Sequence, residues 1–368
     1  MARLGADLNV DAPLRTLAIA QRQIVAIARA LAGDAKVIFM DEPTSSLTQS
    51  ETNRLLDIVR TLSAEGMAII FVSHRLAEVL EISSRVTVLR DGKLVGVFPT
   101  QGMTQSRLTE LMTGKTFDQG VRRRDLTGAP VVLRIEGLTR AGDYEDISLA
   151  IRRGETLGLT GLLGAGRTEL ALSIFGMLRP DRGRISLDGQ VLNLRSNRDA
   201  IHAGIGYLSE DRLSLGLIQP QSIADNTVMP VLDKILDRKL ISYRKKDAMV
   251  RHWIDELAIK IGLQTDAILT LSGGNQQRVA IAKWLAVDPK LIILDSPTVG
   301  VDVGARAGIF DIVEKLAANG VAILLISDEV PEVYFNADRV LHMAGGRIAA
   351  EYDPQNVSLK ALEAAVYA

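Results

Sequence analysis

Residues suited to phosphate chemistry recur at defined places along this 368-residue chain. The run Gly161-Leu-Leu-Gly164-Ala-Gly166-Arg167-Thr168 follows an apolar stretch, Glu155–Thr160, and opens a helix predicted over Thr168–Phe175. It fits the phosphate-loop pattern G-x-x-x-x-G-K-[ST] except at the Lys, which is Arg167. Glycine lets backbone N–H groups approach phosphate oxygens, and the helix N-terminus adds its dipole to the anion site. The Thr168 hydroxyl is expected to ligate Mg2+. Arg167 keeps the positive charge but offers a planar fork in place of a compact ammonium.

Two aspartates, Asp41 and Asp295, end short apolar runs, where an acidic side chain holds Mg2+ in phosphate-transferring enzymes. The residues that follow differ. Glu42 can orient or deprotonate an attacking water, whereas the hydroxyl of Ser296 accepts no proton at neutral pH. Ser272, Gly273 and Gly274 precede another helix, and their hydroxyl and backbone N–H groups are expected to grip a terminal phosphate; an ordinary helix N-cap is the plainer alternative. His74 stands 32 residues after Glu42, at the end of an apolar run, and is expected to be catalytic.

An internal repeat relates these clusters. Residues 17–48 align without gaps on 271–302 at an offset of 254, with 14 of 32 positions identical. The same offset carries Ser73 onto Ser327, Arg85 onto Arg339 and Gly92 onto Gly346. It also pairs Glu42 with Ser296 and His74 with Asp328, whose charge is expected to repel a terminal phosphate. The first copy reads Leu17-Ala-Ile-Ala-Gln21 where the second has its Ser-Gly-Gly, so it should grip phosphate poorly. The second copy has its own upstream part, residues 131–270. A matching part of the first would need roughly 120 residues ahead of Met1, so residue 1 is expected to lie inside a domain.

The elements that position these residues alternate. Helical apolar spacing covers Gln21–Leu31 and Gln276–Leu285, then short apolar runs cover Val37–Asp41 and Leu291–Asp295. Such runs predict strands buried on both faces of a mainly parallel sheet. Helices are predicted over Glu51–Ala64 and Gly304–Ala318, strands over Ala68–Ser73 and Ala322–Ser327, and edge-strand pairs over Arg85–Val97 and Arg339–Glu351. The class is α/β. The predicted division is 1–115, a polar linker over 116–130 with Arg122–Arg124 as a solvated charge cluster, and 131–368.

Composition narrows the function. Lys plus Arg is 43 and Asp plus Glu is 44, so no basic excess points to nucleic acid or an anionic membrane surface. The absence of cysteine excludes disulfides, thiolate nucleophiles and Cys-ligated zinc. No apolar run approaches the length of a spanning helix, and the first ten residues hold no secretion-signal core.

LSGGN followed by LIILD, and FMDEPTSSLT followed by FVSH, resemble the nucleotide-binding domains of ABC transporters. The chain is most similar to the double-domain ATPases of bacterial monosaccharide importers, in which the second phosphate loop reads GAGRTEL, as at Gly164–Leu170, followed by a segment like Tyr207-Leu-Ser-Glu-Asp-Arg212. The resemblance implies two tandem P-loop nucleotide-binding domains, the first lacking its N-terminal half. It places Glu210 at the glutamine-loop position. It further implies ATP and Mg2+ as ligands, separate membrane permease subunits with a periplasmic sugar-binding protein beyond them, and a peripheral position on the cytoplasmic face of the inner membrane. Head-to-tail packing in that family would join Asp41, Glu42 and His74 to Ser272–Gly274 in one composite site. The other would combine Gly161–Thr168, Asp295, Ser296 and Asp328 with Leu17–Gln21. Tyr144 is the nearby aromatic candidate for stacking on adenine.

Three functions follow as expectations: an ATPase subunit energising sugar import, a protein that holds nucleotide without turnover, and a soluble ABC protein of translation or repair. The short linker and Ser296 argue against the last. The absent first phosphate loop, Arg167 and Ser296 favour the second for the isolated chain, which is expected to show almost no ATPase activity.

Overall fold

The computed structural model describes residues 11–33, 35–44, 47, 49–73, 75–90, 92–114, 124–301 and 303–367. The chain divides into two compact units, Met1–Phe117 and Asp118–Ala368.

In the first unit, helix α1 (Ile19–Leu31) leads to strand β1 (Val37–Asp41), helix α2 (Gln49–Ala64) and strand β2 (Ala68–Val72). β1 and β2 pair in parallel, as expected of a strand–helix–strand unit. Ile24, Ile27, Met40, Leu55, Val59 and Leu62 form the core between helices and strands. Helix α3 (Leu76–Ile82), the hairpin β3 (Arg85–Arg90) and β4 (Lys93–Pro99), and helix α4 (Gln105–Thr113) complete it. The expectation of two-sided burial fails here. Along β1 exposed and buried residues alternate, and Phe39 is 75% exposed. Among the described residues, α1 and α2 pack on the face that carries Ile38 and Met40, and the face that carries Phe39 stays open.

The second unit begins with β5 (Val131–Arg140), β6 (Tyr144–Arg152) and β7 (Thr156–Thr160), then helix α5 (Arg167–Ile174). β8 (Arg182–Leu187), β9 (Gln190–Val191), α6 (Asn197–Ala203) and β10 (Ile205–Leu208) follow. Next come α7 (Ile223–Val228), the small hairpin β11 (Leu236–Asp237) and β12 (Leu240–Ile241), α8 (Tyr243–Glu256) and α9 (Gly273–Leu285). The chain then repeats the first unit's order: β13 (Leu291–Asp295), α10 (Val303–Ala318), β14 (Ala322–Ile326), α11 (Val330–Asn336), β15 (Arg339–Ala344), β16 (Arg347–Tyr352) and α12 (Leu359–Tyr367).

The main sheet has the order β10-β13-β14-β7-β15-β16, with only the last pair antiparallel. Every residue of β7, β13 and β14 is buried, which is the two-sided burial the apolar runs predict. A second, antiparallel sheet, β6-β5-β8-β9, packs its apolar residues into the same core. A smaller cluster around Val228, Val231, Ile235 and Val250 holds α7 and α8 together.

Arg124 departs from the solvated cluster expected of it. Its guanidinium pairs with Glu314 at 2.6 Å and Asp338 at 2.8 Å and also donates to Thr156 Oγ1 at 3.2 Å. It anchors the start of the second unit to β7 and to the residue before β15. Arg122 and Arg123 lie outside the described residues.

Candidate functional site

Parallel strands deliver their C-terminal ends to one edge, and the loops after them form the site. β7 leads into the phosphate loop, β13 ends in Asp295 and is followed by Ser296, β10 is followed two residues later by Glu210, and β14 by Asp328. The sheet order therefore sets Glu210 and Asp328 on the strands that flank Asp295.

The loop from Gly161 to Gly166 turns back so that α5 starts at Arg167. Gly166 is the N-cap, with φ of 92°, and a Cβ there would lie 2.4 Å from the Asp143 carbonyl oxygen. No other residue fits that position. Gly164, also in the left-handed region at φ of 80°, would point a Cβ into open space. That side is where a phosphate group would approach. The helix N-terminus and its unpaired N–H groups face the same loop.

The Thr168 hydroxyl, in the first turn of α5, stands beside the carboxylate of Asp295, and Tyr207 from β10 donates its hydroxyl to Asp295 Oδ2 at 3.1 Å. Burial pushes the Asp295 carboxyl up to about 6, the two hydroxyls opposing that shift, Glu210 adding to it and Arg167 opposing it. Burial, with the Asp295 charge, also raises the Tyr207 phenol. The Thr168 hydroxyl and the Asp295 carboxylate thus converge at the mouth of the loop. Among the described residues no group of three or more His, Cys, Asp or Glu side chains is gathered to hold a metal. One hydroxyl and one carboxylate beside a phosphate cradle instead fit Mg2+, which keeps several waters and relies on phosphate oxygens.

Arg167 is only 9% exposed. Its charge lowers the pKa of both Glu210 and Asp295. Partial desolvation, followed by the charge of Asp328, raises Glu210 above the usual carboxylate range. The backbone N–H of Ser296 donates to the Ile326 carbonyl at 2.9 Å and holds the residue at φ of 48°.

Ser272, Gly273 and Gly274 are placed differently from the expectation of a loop before a helix. Ser272 is the N-cap of α9, and both glycines belong to its first turn. The Ser272 hydroxyl makes no hydrogen bond to its own helix backbone; Asn275 donates to it at 3.0 Å. It is exposed, so its oxygen stays available at the helix N-terminus.

In the first unit, Asp41 ends β1 and is exposed. Glu42 takes the conformation of Ser296, with φ of 47° and its N–H donating to the Val72 carbonyl at 2.8 Å. His74 lies outside the described residues. Tyr144 is not placed to stack on a base: it is 2% exposed, inside the core of the second unit.

Two features went unread in the sequence. Glu332 is buried and accepts hydrogen bonds from Thr298 Oγ1 and, at 2.8 Å, from Ser327 Oγ, so it ties the loop after Ser296 to the loop before Asp328. Thr44 donates to Glu78 at 2.6 Å in the first unit, at positions the 254 offset relates. The repeat itself carried this signal, as Thr and Glu are identical in both copies. The second feature is Lys283, 6% exposed, whose Nζ donates to the Gly216 carbonyl at 2.6 Å and lies 4.6 Å from the Trp284 ring centre. Burial pushes it down to about 8. It links α9 to the end of the segment that carries Glu210. A Lys in an otherwise apolar stretch of α9 was its sole sequence signal.

The family model described as ABC transporter matches residues 1–45 and 144–299. The chain belongs to the ABC transporter family. Relatives of this ABC protein agree. Ribose import ATP-binding protein RbsA 2 of Streptomyces avermitilis is 43% identical over 351 residues, 95% of this chain and 70% of the relative. Ribose import ATP-binding protein RbsA 2 of Rubrobacter xylanophilus is 41% identical over 365 residues, 99% and 70%. A putative ribose/galactose/methyl galactoside import ATP-binding protein 1 of Agrobacterium fabrum is 43% identical over 350 residues, 94% and 69%. Among solved structures, the ATP-binding cassette MJ1267 in its ADP conformation superposes with a TM-score of 0.54 at 23% identity, covering 64% of this chain and 98% of that one. It supports the fold. No helix among the described residues of the ABC chain is long and apolar enough to cross a membrane.

Proposed function

We propose that this chain is an ATP-binding subunit that energises import of a simple sugar through separate membrane permease subunits. A periplasmic sugar-binding protein would deliver the sugar, and the chain would sit peripherally on the cytoplasmic face of the inner membrane. The observation that carries the reading is the contact of Thr168 with Asp295 at the mouth of a glycine cradle, in a chain whose relatives are named as sugar-import ATP-binding proteins. In this reading residues 1–115 correspond to the later part of one ATPase domain, 116–130 to a linker and 131–368 to a second domain.

The residues divide by task. Gly161, Gly164 and Gly166 let backbone N–H groups surround a phosphate, and Arg167 adds positive charge. Thr168 and Asp295 hold Mg2+, which supplies neutralisation of phosphate charge, and Asp41 has the same task in the first unit. Glu42 orients and deprotonates the attacking water, and His74 donates to the phosphate it attacks. Ser272, Gly273 and Gly274 present a hydroxyl and helix N–H groups to a terminal phosphate. Ser296 cannot replace Glu42, so the Gly161–Thr168 loop binds nucleotide without hydrolysing it. That last assignment favours a second reading, nucleotide binding without turnover, for any preparation in which only this loop is filled.

The test is ATP-dependent uptake of ribose and galactose into vesicles that contain the permease subunits encoded beside this chain. Uptake that requires both ATP and the chain supports the proposal. A chain that binds nucleotide and the permease, yet drives no uptake of any monosaccharide, would overturn it.

A further inference from the structure

We infer that the phosphate loop of the second unit is a nucleoside-diphosphate site, which selects against a third phosphate through the carboxylates of Glu210 and Asp328. This rests on the proposal that Gly161–Thr168 binds nucleotide, and goes beyond it by naming which nucleotide.

The argument starts from strand order. β13 lies between β10 and β14, so Asp295 at its end has Glu210 on one side and Asp328 on the other. Asp295 pairs with Ile326 across the sheet, and Leu294 pairs with Leu208, so the three loops leave the sheet at nearly the same height. Thr168 and Asp295, the residues that would hold a divalent ion, mark the side of the cradle toward which the outer phosphates would extend. A third phosphate beyond the cradle must therefore extend into the space that Glu210 and Asp328 flank. Each of the two carboxylates lies in the electrostatic reach of the other.

The charges in that space do not favour a triphosphate. Among the described residues, Asp295 and Glu210 share the buried guanidinium of Arg167, and Asp328 is in reach of Arg306, which already pairs with Glu329 and Glu332. A phosphate within the cradle still meets the backbone N–H groups and the start of α5. The additional phosphate of a triphosphate brings further negative charge toward two carboxylates, neither of which in its ionised form can donate to it. At an effective dielectric of about 20, one uncompensated like charge about 5–8 Å away is enough to change affinity by about tenfold or more. The first unit differs in sequence at the same place of the repeat, where His74 replaces the carboxylate of Asp328. An imidazole can donate a hydrogen bond to a terminal phosphate; a carboxylate cannot.

The experiment uses the purified 368-residue chain with Mg2+. Bound methylanthraniloyl-ADP is displaced at equilibrium by ADP and by ATP, in the native protein and in Asp328→Asn, Glu210→Gln and Thr168→Val. ADP is expected to displace the probe at a concentration about tenfold or more below that of ATP. Asp328→Asn and Glu210→Gln should each narrow this gap, chiefly through tighter ATP binding. Asp328 is exposed, so its replacement does not threaten the fold. Thr168→Val should weaken both nucleotides, which assigns them to this loop. ATP binding as tightly as ADP, or a preference that neither carboxylate variant alters, would overturn the selectivity and leave the nucleotide site standing. Failure of either nucleotide to bind, or indifference to Thr168→Val, would overturn the nucleotide site itself.

Discussion

Phe39 and Ile293 hold the same place in the repeat, the third residue of a five-residue strand that ends in Asp. Phe39 is 75% exposed and Ile293 fully buried. Ile70 and Leu324, on the following strand, differ in the same sense. The local features match between the units. The residue after each Asp is left-handed, and its N–H is bonded to the next strand. A buried Thr–Glu hydrogen bond follows in each. Strand and turn geometry are thus written into short stretches of chain, while two-sided burial depends on neighbours. Apolar side chains pack on both faces of β13 in the core of the second unit, whereas among the described residues those of α1 and α2 pack on one face of β1 alone.

The comparison is broken most severely at the aligned apolar pair. Ile293→Asp puts an unpaired carboxylate into the centre of a parallel sheet and should cost about 4–5 kcal/mol or more, enough to unfold the second unit. Phe39→Asp should cost little and raise solubility. Both Trp residues, Trp253 and Trp284, lie in the second unit, so urea titration followed by Trp fluorescence reads it selectively. A comparable loss of stability from Phe39→Asp, read by circular dichroism, would show that the first unit buries that face.

The catalytic contrast comes next. In a version of the chain extended upstream of residue 1 by a first phosphate loop, and assembled with the permease, Glu42→Gln keeps the shape but removes the base, and phosphate release should fall about 10²-fold or more. Ser296→Ala should change it by less than about twofold, since its hydroxyl takes no proton. Equal losses in the two variants would end the assignment of hydrolysis to the Glu42 side.

Removal of a buried strut probes what the units share. Thr298→Val leaves the Glu332 carboxylate short of a donor, and Thr44→Val does the same to Glu78, each at a cost of about 1–3 kcal/mol. Chemical denaturation of both variants would measure this, and a cost at one position alone would show that the contact has different work in the two units.

The smallest effect is a pH dependence present in one unit. Lys283 is buried with its pKa lowered to about 8, whereas Arg29, its counterpart, is exposed. An unfolded Lys binds its proton up to about 10.4, so the unfolded state holds more protons between these values. The penalty of the buried charge is therefore full below about pH 8 and fades as the pH rises. Relative to Lys283→Met, the native protein should gain about 1–2 kcal/mol of stability between pH 8 and 9.5. Arg29→Met should produce no such trend, and a flat difference for Lys283→Met would refute the account.

Much of the site was legible because its parts are short and contiguous. Gly164 to Thr168 announce a phosphate loop by spacing, and the structure places Gly166 where only glycine fits. Asp295 was legible as the end of a buried run. Tyr207, which donates to it, lies 88 residues away in sequence, and no local pattern links the two. Tyr144 misled because an aromatic before a phosphate loop has no visible burial in the sequence. Arg124 misled because a cluster of charges looks solvated until Glu314 and Asp338 are brought to it.

The sequence alone determined the repeat, the α/β alternation, the phosphate loop and the unequal residues after its two strand-end aspartates. These depend on residue type and spacing over a few turns of chain, where φ/ψ preference and apolar periodicity act. Tertiary structure alone decided which strands are covered on both faces, which charges are buried and which carboxylates flank Asp295. Burial and electrostatics depend on atoms brought together across the fold, and strand order rather than chain order sets those distances.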